Sequence, residues 1–187
     1  MDTPQDILER ELMEGETLLW TGVAPGGLRL TAHDIYLIPF SILWGGFAIG
    51  WETLVVAKGG PWFFELWGVP FVAVGIYMII GRFFYDAAAR QATVYGVTSD
   101  RIIIVSGIVR RKIRSIDLAT LSQLSIVDRG DGATITFGPI NPMAGWYTNG
   151  FPGSSAMATP AFELAYDGRK VYEVIQAARK QCRQRGG

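Results

Sequence analysis

The sequence predicts a membrane protein of the α+β class, with a two-helix transmembrane hairpin and a small antiparallel β-barrel or sandwich closed by a C-terminal amphipathic helix. Two long stretches are almost free of charge, and short runs rich in β-branched and aromatic residues follow them. The last segment has apolar residues at helical spacing. Only 18% of the 187 residues are charged, against about 25% in average soluble domains.

The two uncharged stretches are each long enough to cross a bilayer. Residues 35–57 contain one charged residue, Glu52, and residues 61–82 contain only Glu65 and the terminal Arg82. About 20 apolar residues, each rising about 1.5 Å along a helix, cross a hydrocarbon core of about 30 Å. Because only three residues separate the stretches, we expect a tight antiparallel hairpin. A buried hairpin in a soluble protein is the alternative, but few residues follow to cover it.

The hairpin divides the chain into three predicted regions. An acidic region, residues 1–34, holds a short helix and a short strand. The hairpin occupies residues 35–85. A cytoplasmic domain covers residues 90–187 and contains a loop insertion at 139–160.

Basic residues near the ends of the spans predict the orientation of the hairpin. The turn of the hairpin holds a single basic residue, Lys58. Four arginines lie before or after the hairpin at its open end: Arg29, Arg82, Arg90 and Arg101. Cytoplasmic loops carry the excess of Lys and Arg, so we expect both termini in the cytoplasm. The single cysteine, Cys182, fits a reducing compartment.

Gly46 and Gly50 form a small-xxx-small pair in the first span. Such pairs allow helix backbones to approach closely. The pair predicts either a docking or dimerisation face, compatible with a homo-oligomer, or packing against the second helix of the same hairpin. The sequence leaves both alternatives open.

The remainder of the chain has the pattern of antiparallel strands and two helices. A helix is predicted over residues 4–13 with Thr3 as its N-cap. Strands are predicted over residues 18–20, 93–98, 101–106, 108–117, 120–127, 133–138 and 161–166. The C-terminal helix follows Asp167, and its apolar stripe is Val171, Val174, Ile175, Ala178 and Cys182.

The order of these segments, together with several short motifs, resembles the membrane-anchored bacterial pleckstrin-homology (PH)-like domain family. The entry segment Glu16–Gly22 and the run Tyr95–Ile102 with Gly107 and Ile108 carry most of the resemblance. Further matches are Ile116–Leu118, Leu121, Gly130–Ile135, Phe162, Asp167, Val171, Tyr172 and Ile175. The chain departs from the family pattern at Ala165–Tyr166 and in the insertion 139–160. The resemblance implies a PH-like domain and a non-catalytic binding or scaffolding role at a bacterial cytoplasmic (inner) membrane, where some members act as assembly factors.

The chain offers few groups for catalysis. It has one histidine, His33, and one cysteine, and it lacks the sequence motifs of zinc proteases, dithiol redox sites, phosphate-binding loops and serine hydrolases. We therefore predict no enzymatic activity, no metal and no cofactor. Equal numbers of acidic and basic residues, 17 each, argue against a nucleic-acid partner.

A basic cluster is the first candidate binding site. Arg110, Arg111, Lys112 and Arg114 place four cations within five residues. Near an anionic leaflet each cation contributes about 1 kcal/mol of attraction. The cluster predicts contact with anionic lipid headgroups, an acidic protein partner, or a solvated strand face.

The second candidate is the long segment between residues 138 and 160. It is rich in glycine and proline but also carries large apolar side chains: Met143, Trp146, Tyr147, Phe151 and Met157. Because aromatic residues and methionine are enriched at interfaces, we expect it to dock onto a partner or the bilayer; disorder is the alternative.

Together these features predict a scaffold, assembly factor or accessory subunit of a cytoplasmic-membrane complex, with an integral membrane protein as partner. Recognition of anionic lipid through the basic cluster is the alternative. A small transporter or channel component is disfavoured, since neither span carries a charge near its middle. The net charge is −5 over residues 1–34, −1 over 35–81 and +6 over 82–187, so a basic domain follows the hairpin.

Overall fold

A computed structural model describes residues 3–28, 30, 34–108, 110–128, 132–139 and 159–185. It divides the chain into two compact units. One is a β-domain formed by the described parts of residues 1–27, 88–142 and 159–187; the other is a helical unit formed by the described part of residues 28–87.

Five α-helices lie in the described residues: α1 (Pro4–Glu9), α2 (Asp34–Ala57), α3 (Trp62–Ile76), α4 (Arg82–Gln91) and α5 (Gly168–Arg185). A π-helical turn, Tyr77–Gly81, joins α3 to α4, so residues 62–91 form one continuous helix. The second helix therefore continues nine residues beyond the span end predicted at residue 82.

The β-domain contains two antiparallel sheets. The first sheet has the strands β1 (Leu18–Val23), β2 (Val94–Thr98), β3 (Arg101–Ser106) and β4 (Lys112–Asp117), in that order. The second has β5 (Leu124–Asp128), β6 (Ala133–Phe137) and β7 (Ala161–Leu164). Strands adjacent in each sheet are also consecutive in the chain, and the two long helices are inserted between β1 and β2.

Both sheets and α5 share one hydrophobic core. Phe162 is fully buried at its centre, with its ring centroid 4.5 Å from that of Tyr95 and 4.8 Å from that of Phe137. The predicted stripe of α5 is confirmed: Val171, Ile175 and Ala178 are buried there, and Val174 and Cys182 pack against it.

The α+β class and the antiparallel sheets are confirmed, but the closed-barrel alternative is wrong for the described strands. No ladder among them joins the first sheet to the second. The chain between β4 and β5 turns into the core, where Leu118 and Leu121 are buried. Residues 120–123, predicted as strand, belong to this turn, so β5 begins only at Leu124.

Helix α1 covers the outer face of the first sheet. Its predicted N-cap is confirmed, because the Asp6 N–H donates to Thr3 Oγ1 and the Thr3 N–H donates to Asp6 Oδ2. Leu8 is fully buried over Gly96, where a Cβ would lie 2.9 Å from Leu8 Cδ2. The helix ends at Glu9, four residues earlier than predicted, because the following turn brings Glu16 back to accept the Met13 N–H.

The helical unit is a tight antiparallel pair. Its turn, Lys58–Gly60, is closed by the Gly60 N–H, which donates to the Val55 carbonyl over 2.9 Å. At the open end, Arg82 Nη2 lies 2.9 Å from Asp34 Oδ1, and both side chains are buried. Helix α2 and the helix over residues 62–91 are long and apolar enough to cross a membrane.

Candidate interaction surface

One end of the first sheet is marked by a row of four β-branched residues. Val23, the last residue of β1, pairs with Val94, the first of β2. Val94 pairs with Val105 of β3, and Val105 pairs with Ile113 of β4. Paired residues in adjacent strands share a face, so the row crosses the outer face of the sheet. We call the end that this row marks the exit end.

The chain leaves the β-domain and returns to it at the exit end. Beyond the row, the Ala24 N–H donates to the Thr93 carbonyl over 3.1 Å. The guanidinium of Arg90 donates to the Gly27 carbonyl, also over 3.1 Å. The two long apolar helices are therefore inserted at a point where both chain segments are held together.

The turn between β3 and β4 lies at the same end of the sheet. Ser106 pairs with Lys112 one residue beyond the row, and the intervening residues form the turn. Gly107 has φ +116°, and a Cβ there would overlap the Arg110 carbonyl oxygen, so the turn requires glycine. The predicted strand 108–117 accordingly begins only at Lys112, and the first two arginines of the cluster lie in the turn.

The described residues of this turn and the start of β4, residues 107–108 and 110–114, form a surface that we call the basic tip. Arg110, Arg111 and Lys112 are exposed, and Arg114 is half-buried. Two isoleucines stand among them, Ile108 with 47% of its surface exposed and Ile113 with 45%. The structure thus brings together the four predicted cations and adds two exposed aliphatic side chains.

The other end of the first sheet is acidic and carries a buried ion pair. Arg101 donates to Glu16 from Nε over 2.9 Å and from Nη2 over 3.0 Å, and Thr98 Oγ1 donates to the same carboxylate over 2.6 Å. The Glu16 side chain is only 3% exposed. Glu11, Glu14, Asp100 and Asp117 lie nearby in the chain or on the adjoining strands.

Hydrogen bonding controls the charge state of this pair. Burial acts to raise the pKa of Glu16, but hydrogen bonds from Arg101, from the Met13 N–H and from Thr98 outweigh it and lower the pKa below 4.5. The hydrogen bond to Glu16 also raises the pKa of Arg101. Both groups therefore stay charged near neutral pH, and the pair fastens the chain before β1 to the turn between β2 and β3.

The glycine pair of the first span does not pack inside the hairpin. A Cβ on Gly46 or on Gly50 would meet no atom within 4 Å. The close approach of the helices is instead between Gly45 and Gly75, where a Cβ on Gly75 would lie 2.8 Å from the Gly45 Cα. One of the two alternatives was that the pair packs against the second helix. That contact is made by Gly45, the residue before the pair, and not by Gly46 or Gly50.

The other predicted docking residues, Met143, Trp146, Tyr147, Phe151 and Met157, lie outside the described residues. Within the described part of the chain, no group of three or more His, Cys, Asp or Glu side chains could hold a metal ion.

Sequence reasoning found the cations of the basic tip but missed their position at the exit end. The signal that could have found it is the pair of short turns on either side of β3, which fixes the direction of each strand. Comparison with protein-family models, with curated proteins and with solved structures finds no match for this chain.

Proposed function

We propose that this chain is an integral protein of the bacterial cytoplasmic membrane that serves as a non-enzymatic scaffold, assembly factor or accessory subunit of a membrane protein complex. In this proposal α2 and the helix over residues 62–91 cross the bilayer as a hairpin, and both termini lie in the cytoplasm. The β-domain is a PH-like binding module held at the membrane surface.

The observation that carries the proposal is the exposure of the two apolar helices. In the most apolar 18-residue stretch of α2, only 17% of the residues are buried, and in that of the second helix only 11% are buried. Soluble proteins rarely leave apolar surface of this extent open to water, and the bilayer is the solvent that accepts it.

Two features of the β-domain support the PH-like role. The two antiparallel sheets and the C-terminal helix that closes them agree with the small sandwich expected of a PH-like domain. In addition, chain connections at one end of the sheet lead to both helices, so the β-domain is held at two points.

The anchor is tested by labelling single cysteines in a Cys182→Ser background with a membrane-impermeant maleimide. In intact spheroplasts, we expect Lys58→Cys, which lies in the hairpin turn, to be labelled from the outer face of the inner membrane. We expect Glu173→Cys, exposed on α5, to be labelled only in inverted vesicles. Labelling of both from the same side, or release of the protein by alkaline carbonate, would contradict the proposal.

The scaffold role is tested by gentle extraction of the native membrane, followed by identification of the proteins that remain bound to the full chain. We expect at least one integral membrane protein to co-purify in a fixed ratio. A chain recovered from native membrane only by itself would contradict a scaffold or accessory role.

A second candidate function is recognition of anionic lipid by the basic tip. The observation that favours it is the strand register, which places the tip at the same end of the sheet as the connections to the apolar helices. Cations near an anionic leaflet are attracted to it.

Hydrogen–deuterium exchange of the full chain in lipid nanodiscs tests this candidate. We expect the backbone amides of residues 106–113 to exchange more slowly in discs containing phosphatidylglycerol than in discs of phosphatidylcholine alone. The double substitution Arg110→Gln with Lys112→Gln should abolish the difference. Arg169→Gln with Lys180→Gln removes the same charge from exposed positions of α5 and should preserve it.

A further inference from the structure

The basic tip combines cations with exposed aliphatic side chains, and this combination bears on how it meets a membrane. Ile108 lies in the turn itself, and Ile113 ends the row on β4. Val23, at the opposite end of the row on β1, is also 50% exposed. The two inner members of the row, Val94 and Val105, are buried. Apolar surface is therefore left open at the edges and at the tip of the exit end.

The tip extends beyond the row in the direction of the chain connections. Ile108 comes three positions after Val105, and a strand advances about 3.3 Å per residue. Ile108 therefore reaches at most roughly 10 Å past the row, with Arg110, Arg111 and Lys112 around it. An aliphatic side chain with cations beside it in the chain is suited to the boundary of headgroups and acyl chains, where the cations meet the phosphates.

The charge distribution in the first sheet favours one orientation of that tip. The exit end carries Arg90 and the cations of the basic tip, whereas the opposite end carries the acidic residues around Glu16. An anionic leaflet attracts the first end and repels the second.

We propose that the basic tip is a membrane-inserting wedge, in which Ile108 enters the cytoplasmic leaflet while Arg110 and Lys112 bind the phosphates of anionic lipids. The proposal rests on the membrane anchor proposed above. It adds a third attachment to the two chain connections and fixes the orientation of the β-domain against the bilayer. A bilayer is a better ligand than a soluble phosphate, because a free phosphate offers no contact for an exposed isoleucine.

The test places nitroxide labels on the full chain in a Cys182→Ser background and measures their accessibility to oxygen and to a water-soluble nickel complex. The probe position is Ile108→Cys. Ser115→Cys, exposed on strand β4, reports the aqueous side. Phe47→Cys, 71% exposed on α2, reports the proposed bilayer anchor. Each is measured in nanodiscs of phosphatidylcholine with and without phosphatidylglycerol.

We expect the label at position 108 to become oxygen-accessible and shielded from nickel only in discs that contain phosphatidylglycerol. The label at position 115 should remain in water in both discs, and the label at position 47 should remain in lipid in both. Adding Arg110→Gln and Lys112→Gln should return the label at 108 to water, whereas Arg169→Gln with Lys180→Gln should not.

Each other outcome has one meaning. A label in water at 108 with a label in lipid at 47 overturns the wedge and leaves the anchor standing. A label in water at 47 contradicts the anchor itself. Insertion at 108 that is equal in neutral discs overturns the role of the cations.

Discussion

Individual residues of the motif that carries the family resemblance have a structural role. Glu16 lies before β1, while Thr98 and Arg101 lie on either side of the turn between β2 and β3, and the three side chains form one hydrogen-bonded group. The Arg101 guanidinium also donates to the Glu11 carbonyl over 2.6 Å. These contacts fix how the N-terminal segment attaches to the sheet.

The Glu16–Arg101 pair makes stability depend on pH. Because the pKa of Glu16 is lowered in the folded state, its stabilising effect is complete above the ordinary value of 4.5 and is lost as the pH falls through the folded-state pKa. We expect Glu16→Gln to lower the free energy of unfolding at neutral pH by about 3 kcal/mol and to flatten the acid limb of the profile. Pulse proteolysis in detergent micelles at a series of pH values measures both effects.

Glu14→Gln is the matched control, since Glu14 is exposed and two residues away. It should leave the profile close to that of the wild type. An acid limb of equal steepness in the Glu16 and Glu14 variants would show that Glu16 does not control the pH dependence.

At the scale of elements, the helix pair is held close by one glycine contact. A Cβ on Gly45 would lie 2.6 Å from Ile79 Cδ1 and 3.5 Å from the Gly75 Cα, whereas Gly46 faces open space. Side chains on adjacent positions of a helix point in directions that differ by about 100°. Neighbouring glycines in one sequence motif therefore have different surroundings.

This difference gives a prediction about hairpin packing. We expect Gly75→Val to push the helices apart, because the new side chain would meet the backbone of Gly45, which cannot move aside. Gly46→Val should leave the distance unchanged. Electron–electron double resonance between nitroxides at Ile42 and Ile80, both exposed, measures the separation in a Cys182→Ser background. Equal distance distributions in the two variants would contradict the assigned contact.

Local sequence patterns predict which helices and strands form better than they predict where each one begins or which residues contact the next element. The spacing of Val171, Ile175 and Ala178 predicted the buried face of α5 correctly, because helical periodicity is a property of the local sequence. The start of β4 was predicted four residues early, since its position depends on how Gly107 fits against Arg110. The contact between the two helices is made by Gly45, next to the predicted pair Gly46 and Gly50, because a run of small residues does not show which of them faces the neighbouring helix.

The basic tip was predictable only in part, because its composition is visible in the local sequence and its position in the fold is not. The four cations are adjacent in sequence, so their cluster is visible without a structure. Their place at the exit end depends on three successive strand pairings that link Val23 to Ile113. The two pairings of β3 follow from short turns that the sequence shows, but the pairing of Val23 with Val94 joins residues far apart in the chain, and no local pattern records it.

At the scale of the whole molecule, the helical hairpin is an insertion into a complete β-domain. At the exit end each strand of the first sheet is paired with the adjacent strand. The core contains residues from both sheets and from α5. The hydrogen bond from the Ala24 N–H to the Thr93 carbonyl over 3.1 Å joins the two chain segments at the exit end. The β-domain therefore has the contacts that it needs without the apolar helices.

We accordingly expect the β-domain to fold in water when the hairpin is replaced by a short turn. The chain would join residues 1–24 to residues 93–187 through Asn-Gly, the pair that two-residue hairpin loops favour. The product should be monomeric without detergent and should unfold cooperatively on heating, as followed by circular dichroism and light scattering. Adding Phe162→Ala, which removes the ring at the centre of the core, should lower its stability by about 3–5 kcal/mol. A product that is soluble but unfolds without cooperativity, or whose stability Phe162→Ala leaves unchanged, would show that the β-domain depends on the helices for its core.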